Sequence, residues 1–130
     1  MLAQASVVGF IPVHDFDLAE GFYAGKLGLT VASRDPFALV LTAAGDVMIR
    51  CVLTPEFKPQ PYTVFGWEVL DITVSAKALN AAGVETLRYP WFEQDADGVW
   101  TAPGGAARVA WFNDPFGNVL SLSQHKAATA

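Results

Sequence analysis

The sequence predicts an α+β domain in which one β-α-β-β-β unit is used twice. Short apolar runs rich in β-branched residues greatly outnumber the stretches with helical spacing, so strands should dominate. The order strand, helix, strands occurs once before and once after a proline-rich stretch at 54–62, TPEFKPQPY. Landmarks of the first half also recur in the second. Val8, Val13 and Asp15 find counterparts in Val64, Val69 and Asp71 at one constant offset. The 130 residues suit a single domain, with module one at about 6–53 and module two at about 63–124.

Residues 6–13, SVVGFIPV, read as the first strand. Asp15 or Asp17 is placed to cap the helix that follows. In that helix Leu18 and Phe22, and Ala19 and Tyr23, fall at i, i+4 spacing, and Gly25 or Gly28 ends it. Strands are expected over 29–34, 37–42 and 46–53, with turns at Arg34-Asp35-Pro36 and Ala44-Gly45-Asp46. Proline fixes φ and removes a donor, so 54–62 reads as a connector. The pattern then restarts. Residues 63–70 form a strand, Asp71 or Thr73 caps a helix containing Leu79 and Ala82, Gly83 stops it, and 84–89 forms another strand. Residues 90–106 read as a long loop with a short strand at 98–102. Strands near 107–112 and 118–124 close the module, ahead of an Ala-rich end that reads as frayed. Gly45-Asp46-Val47 aligns with Gly117-Asn118-Val119, at a larger offset because the second module carries the longer loop.

Composition narrows the function. Hydrophobic residues make up 52% of the chain and charged residues 16%, which supplies a core and argues against disorder. A net charge of -5 argues against nucleic acid, whose phosphates attract basic surfaces. An acidic chain can favour a cationic ligand, but ordinary solubility charge is the preferred account of it. Cys51 is the single cysteine and lies in an apolar strand, with Arg50 on the opposite strand face, so it reads as a structural thiol. The N-terminus has no Lys or Arg ahead of its apolar stretch and makes a poor signal peptide. No apolar run approaches the roughly 18 residues of a membrane span, and a cytoplasmic protein is expected. The Gly-x-Ser-x-Gly elbow of serine hydrolases is missing from the sequence.

Val13-His14-Asp15, followed by Phe22-Tyr23 and Leu27-Gly28-Leu29, resembles the first-module signature of the vicinal oxygen chelate superfamily, which includes glyoxalases, bleomycin-resistance proteins and dioxygenases. Asp114-Pro115-Phe116-Gly117-Asn118-Val119-Leu120 resembles its closing D-P-x-G-N strand. Pro115 and Gly117 suit a tight turn that delivers Asn118 into the last strand. The resemblance implies two βαβββ modules whose curved mixed sheets surround a cavity. It also implies a homodimer, since many members complete their site across two chains.

Enzymes of that superfamily hold a divalent metal with His, Gln or Glu on the first and last strands of each module. The corresponding positions here are Val8, Ile49, Val64 and Ser121. Val and Ile have no lone pairs, and neutral Ser is a poor ligand. No metal and no cofactor are therefore expected. His14 reads as a solvated turn residue and His125 as a residue just beyond the last strand, with a lesser role at a cavity mouth.

Strand alternation then assigns faces. Val8, Phe10 and Pro12 should line the cavity with Val64, Gly66 and Glu68, joined by Ile49, Cys51, Val119, Ser121 and Ser123. Ile11, Val13, Phe65, Trp67 and Val69 should pack under the helices. The expected ligand-binding set is Val8, Phe10, Ile49, Val64, Glu68, Trp91, Trp100 and Ser121. Glu68 reads either as an acid that favours a cationic ligand or as an inert strand-end residue. Trp91 and Trp100 read either as a stacking wall or as anchors of their loop or of a dimer interface. The metal-free, drug-sequestering bleomycin-resistance branch is the nearest resemblance, with a small apolar or aromatic organic molecule as ligand. The alternative is a glyoxalase-like lyase or a dioxygenase.

Overall fold

The structure is a computed structural model, described over residues 1–125. The Ala-rich end read as frayed lies outside the described residues. The chain divides into two compact units, Met1–Lys58 and Pro59–Ala130, and the division falls within the proline-rich connector.

In the first unit, strand β1 (Val8–Val13) leads into helix α1 (Phe16–Glu20), followed by β2 (Thr30–Arg34), β3 (Ala38–Ala43) and β4 (Val47–Leu53). The sheet order is β1-β4-β3-β2. β1 and β4 are parallel, and the other pairs are antiparallel. Asp15 caps α1, its carboxylate accepting from the Leu18 N–H at 3.0 Å. Asp17 instead pairs with Arg34 at 2.8 Å. The helix widens into a π-helical turn over Gly21–Lys26 and closes at Gly28, whose φ of 80° suits glycine. Ala19, Phe22 and Tyr23 are buried, whereas Leu18 is exposed, so its pairing with Phe22 does not reach the core.

The second unit repeats this order. Strand β5 (Thr63–Glu68) precedes helix α2 (Ile72–Ala81), then β6 (Trp100–Thr101), β7 (Ala107–Asn113) and β8 (Val119–His125). The sheet order is β5-β8-β7-β6, with β5 and β8 parallel. Asp71 caps α2 through the Val74 N–H at 3.2 Å, and Gly83 follows the helix with φ 83°. Ile72, Ala76 and Leu79 bury one side of α2, and Ala110, Phe112, Leu120 and Leu122 form the buried face of the sheet. Trp67 lies over Phe112 with ring centroids 6.2 Å apart. Among the described residues, no helix is long and apolar enough to cross a membrane.

The strand expected over 84–89 is absent. Only Thr86 forms a ladder bridge, to Phe112, and the Leu87 N–H donates to the Trp111 carbonyl at 2.7 Å. The Thr86 N–H donates to the Asn80 side-chain oxygen at 3.1 Å, and a second side chain serves the end of the stretch. The Gln94 carbonyl oxygen accepts from the Tyr89 N–H at 2.8 Å, and its amide donates to the Leu87 and Gly98 carbonyls, each at 2.8 Å. Backbone groups satisfied in this way need no neighbouring strand.

The Asp114–Asn118 turn is built around a buried carboxylate. Asp114 Oδ1 accepts from the Phe116 and Asn118 N–H groups at 2.8 and 2.9 Å, and Oδ2 accepts from the Asn118 side chain at 2.8 Å. Gly117 sits at φ 87° with Pro59 against it, where a Cβ would collide. Replacing Asp114 by Ala strands these buried donors, and we expect a loss of about 2–3 kcal/mol in urea unfolding. A loss near zero would show that the turn holds without its carboxylate.

Candidate ligand-binding face

Register decides which side chains share a face. In the first unit Val8 pairs with Met48, Phe10 with Arg50 and Pro12 with Val52. Val8 and Phe10 are 42% and 62% exposed, and Met48 lies beside them on the open face. Ile49 and Cys51 pair with Gly9 and Ile11 and are fully buried on the other face. The expectation that Ile49 lines the open face with Val8 is therefore corrected, and Cys51 moves with it. The cause lies in the preceding turns. Gly45 and Asp46 both adopt left-handed backbone, φ 74° and 58°, whereas the later turn closes around Asp114 with Gly117. Aligning the two glycines thus misplaces β4 by one residue, and one residue exchanges the faces of a strand. Arg50, opposite Phe10, occupies the place that Ser121 holds opposite Gly66.

The second unit keeps its expected faces. Gly66 pairs with Ser121 and Glu68 with Ser123, and across β7 these rows continue to Trp111 and Val109. Trp100 pairs with Val109 and so lies on the same face. Val64 is exposed and falls at a register shift between Thr63 and Phe65, outside the regular pairing. The floor of this face is small: Gly66, Ser121, Ser123 and Val109. Ser121 occupies the space where a side chain at position 66 would project.

An aromatic wall bounds the floor on the β6–β7 side. Phe92 stacks parallel on Trp111 with centroids 5.2 Å apart, and Trp100 lies 4.8 Å from Phe92. Tyr89 meets Trp111 edge-on at 5.4 Å and Trp91 at 5.1 Å. Trp100 is thus an anchor within the wall, while Trp91 is 71% exposed. Tyr89, Trp91, Phe92 and Trp111, with Tyr62 and Val119, line a hollow of about 160 Å³. Whole ligand pockets run to roughly 300–1,000 Å³, so this one accepts a ring system and leaves the rest of a larger molecule outside. Trp111 was missed in the sequence because β7 reads as an ordinary strand, and only pairing places its indole against the loop aromatics.

The β5 edge carries the polar end. Glu68 Oε1 accepts from the Ser123 hydroxyl at 2.8 Å and lies 2.7 Å from His125 Nδ1, while Oε2 accepts from the His125 N–H at 2.7 Å. The His125 backbone bond, then the Ser123 hydroxyl and the His125 ring, hold the Glu68 carboxyl down to about 2. Glu68 is therefore bonded within its own sheet, which neither of its sequence readings anticipated.

Elsewhere, Asp17, Glu20 and Arg34 border a hollow of about 480 Å³ in the first unit. Arg34 bridges both acids there, at 2.8 and 3.4 Å. His14 is exposed with its ring 4.7 Å from Phe57. Among the described residues, no three His, Cys, Asp or Glu side chains come together as a metal site would require. Val8, Met48, Arg50, Val64 and Ser121 do not fit a divalent cation either, since none is a carboxylate, imidazole or thiolate.

This architecture is the fold of the glyoxalase/bleomycin resistance protein/dioxygenase superfamily. A member from Sphaerobacter thermophilus matches 96% of this chain and 100% of its own at TM-score 0.73 and 22% identity. The bleomycin resistance determinant encoded on transposon Tn5 matches 95% and 100% at TM-score 0.73 and 22% identity. An antibiotic binding protein from a Streptomyces species matches 97% and 99% at TM-score 0.70 and 23% identity. No protein-family model matches the chain, and neither does any curated protein sequence.

The depressed Glu68 pKa has a consequence in acid. The carboxylate contributes stability in full above its ordinary value of 4.5 and loses it as pH falls toward about 2. Glu68→Gln should therefore be less stable than the parent near neutral pH, with the gap in urea midpoints closing in acid. A gap that stays constant with pH would assign the difference to shape and not to charge.

Proposed function

We propose that this chain is a metal-free small-molecule-binding protein of the drug-sequestering, bleomycin-resistance type. Its ligand is an organic molecule with an apolar or aromatic body, and a cationic group is accommodated. The observation that carries this reading is the hollow lined by Tyr89, Trp91, Phe92 and Trp111, where a flat ring gains stacking contact on several sides. A cation is favoured by the same π faces and by the anionic Glu68 on the sheet they border. The Tn5 bleomycin resistance determinant and the Streptomyces antibiotic binding protein, which share the fold, support the same class of ligand.

Titration with bleomycin and with N-methylquinolinium, followed by tryptophan fluorescence and thermal shift, tests this reading. Saturable quenching with a raised Tm is expected for at least one of the two. Trp91→Ala removes an exposed wall residue, so it should weaken binding several-fold while changing stability by no more than about 0.5 kcal/mol. No response to either compound at millimolar concentration would count against the proposal.

A glyoxalase-like lyase or a dioxygenase is the rival reading; it needs a metal, and among the described residues no three His, Cys, Asp or Glu side chains come together to hold one. A homodimer also belongs to the proposal, supported by the apolar Val8, Phe10 and Met48 exposed on one sheet face. Native mass spectrometry of protein never exposed to chelator tests both points. A dimer without added metal mass is expected. Stoichiometric zinc, nickel, iron or manganese would favour the enzyme, and a monomer at micromolar concentration would remove the dimer.

A further inference from the structure

We infer that His125 Nε2 is the far anchor of an elongated ligand whose aromatic end occupies the hollow of Tyr89, Trp91, Phe92 and Trp111. Glu68 is the positioning residue that presents this nitrogen. The inference rests on the binding function proposed above and specifies the length and polar chemistry of the ligand.

The first argument is the tautomer. A carboxylate can only accept, and Glu68 Oε1 lies 2.7 Å from His125 Nδ1. The proton of a neutral ring is therefore on Nδ1, and Nε2 holds the lone pair. The two nitrogens lie on opposite sides of the ring, so Nε2 faces away from Glu68. Among the described residues nothing bonds to it, and the side chain is 62% exposed. The arrangement is fixed from several directions. The same carboxylate accepts from the His125 N–H at 2.7 Å and from the Ser123 hydroxyl at 2.8 Å. An exposed histidine without such support rotates freely and favours the Nε2–H form. Here a hydrogen-bond acceptor is held in one orientation.

The second argument is distance. Trp111 stands opposite Ser121 on the open face, and His125 follows Ser121 by four positions along the same strand with the same facing. At about 3.3 Å per residue, the row of Trp111 and the row of His125 are roughly 13 Å apart. The Trp111 row carries Gly66 and Ser121, and the row between carries Ser123 flanked by Glu68 and Val109, so along β8 itself only serine side chains line the path. A ligand using both ends therefore has an aromatic head, a slender middle and a terminal donor, such as a hydroxyl or an amine, that donates a hydrogen bond to Nε2.

The test uses 10-(2-naphthyl)decan-1-ol, its methyl ether and 2-(2-naphthyl)ethanol with the full chain. The decyl chain spans the estimated gap, the ether keeps the body without the donor, and the ethanol cannot reach. The long alcohol should bind about tenfold more tightly than its ether, the scale of one well-made hydrogen bond. In His125→Ala that advantage should vanish, while binding of the short alcohol stays unchanged. Nitrogen-15 NMR should report the Nδ1–H form of His125 in the parent and a shift toward Nε2–H in Glu68→Gln, a change that a merely structural role for Glu68 would not produce. The long alcohol should move the Nε2 resonance and the short one should not. Equal affinities for long alcohol and ether, or an Nε2–H ring in the parent, would overturn this inference while leaving the aromatic hollow as a binding site. Failure of all three compounds to bind would remove the inference together with the proposed function.

Discussion

The parallel pairing of the first and last strand within each unit is the constraint on which the site depends. Parallel strands cannot be joined by a tight turn, so the chain must leave β1, pass through a helix and two further strands, and return to β4 beside its start. The same requirement brings β8 back beside β5. That return places His125 next to Glu68, although the two are 57 residues apart. It also fixes register, because a shift by one residue would put Leu120 and Leu122 into solvent and Ser121 and Ser123 into the core. The hydrophobic faces of β7 and β8 therefore determine the polar face at the same time.

The second unit differs from the first in its long loop, and that loop turns a generic sheet face into a candidate site. A stretch carrying Tyr89, Trp91 and Phe92 would be a liability if it were free to move. It is tied down by Gln94, which bonds both sides of the loop, and by Asp95, whose Oδ1 accepts from the Asp97 and Val99 N–H groups at 2.9 and 3.0 Å. The aromatic contacts with Trp100 and Trp111 then add about 0.5–1.5 kcal/mol each beyond simple burial. A preorganised wall of this kind binds without the ordering cost that a mobile loop would impose.

The fold itself does not assign chemistry, since one architecture hosts lyases, oxygenases and binding proteins. The discrimination rests on side chains. Among the described residues no three His, Cys, Asp or Glu side chains converge, and the open strand faces present Val8, Met48 and Arg50 in the first unit and Ser121 in the second, with Val64 exposed beside it. On the open face of the second unit Glu68 and His125 are bonded to each other, so the carboxylate is held within its own sheet.

The sequence by itself determined whatever depends on local chemistry. The caps at Asp15 and Asp71, the stops at Gly28 and Gly83, the proline connector, the Asp114 turn and the doubled strand order were all legible, because each is set by residues within a few positions of one another. The faces of β5 and β8 were legible too, since Glu68, Ser121 and Ser123 alternate with strongly apolar neighbours. Tertiary structure alone decided the rest. Ile49 went to the core because two left-handed residues in its turn shift the strand by one position, which alternation counted from a glycine does not detect. The stretch 84–89 lost its strand because Gln94, in the loop that follows it, satisfied the backbone groups of Leu87 and Tyr89. The bond between Glu68 and His125, and the meeting of Trp111 with Phe92, depend on which strands lie side by side. That is set by long-range pairing, for which a single sequence carries no local signal.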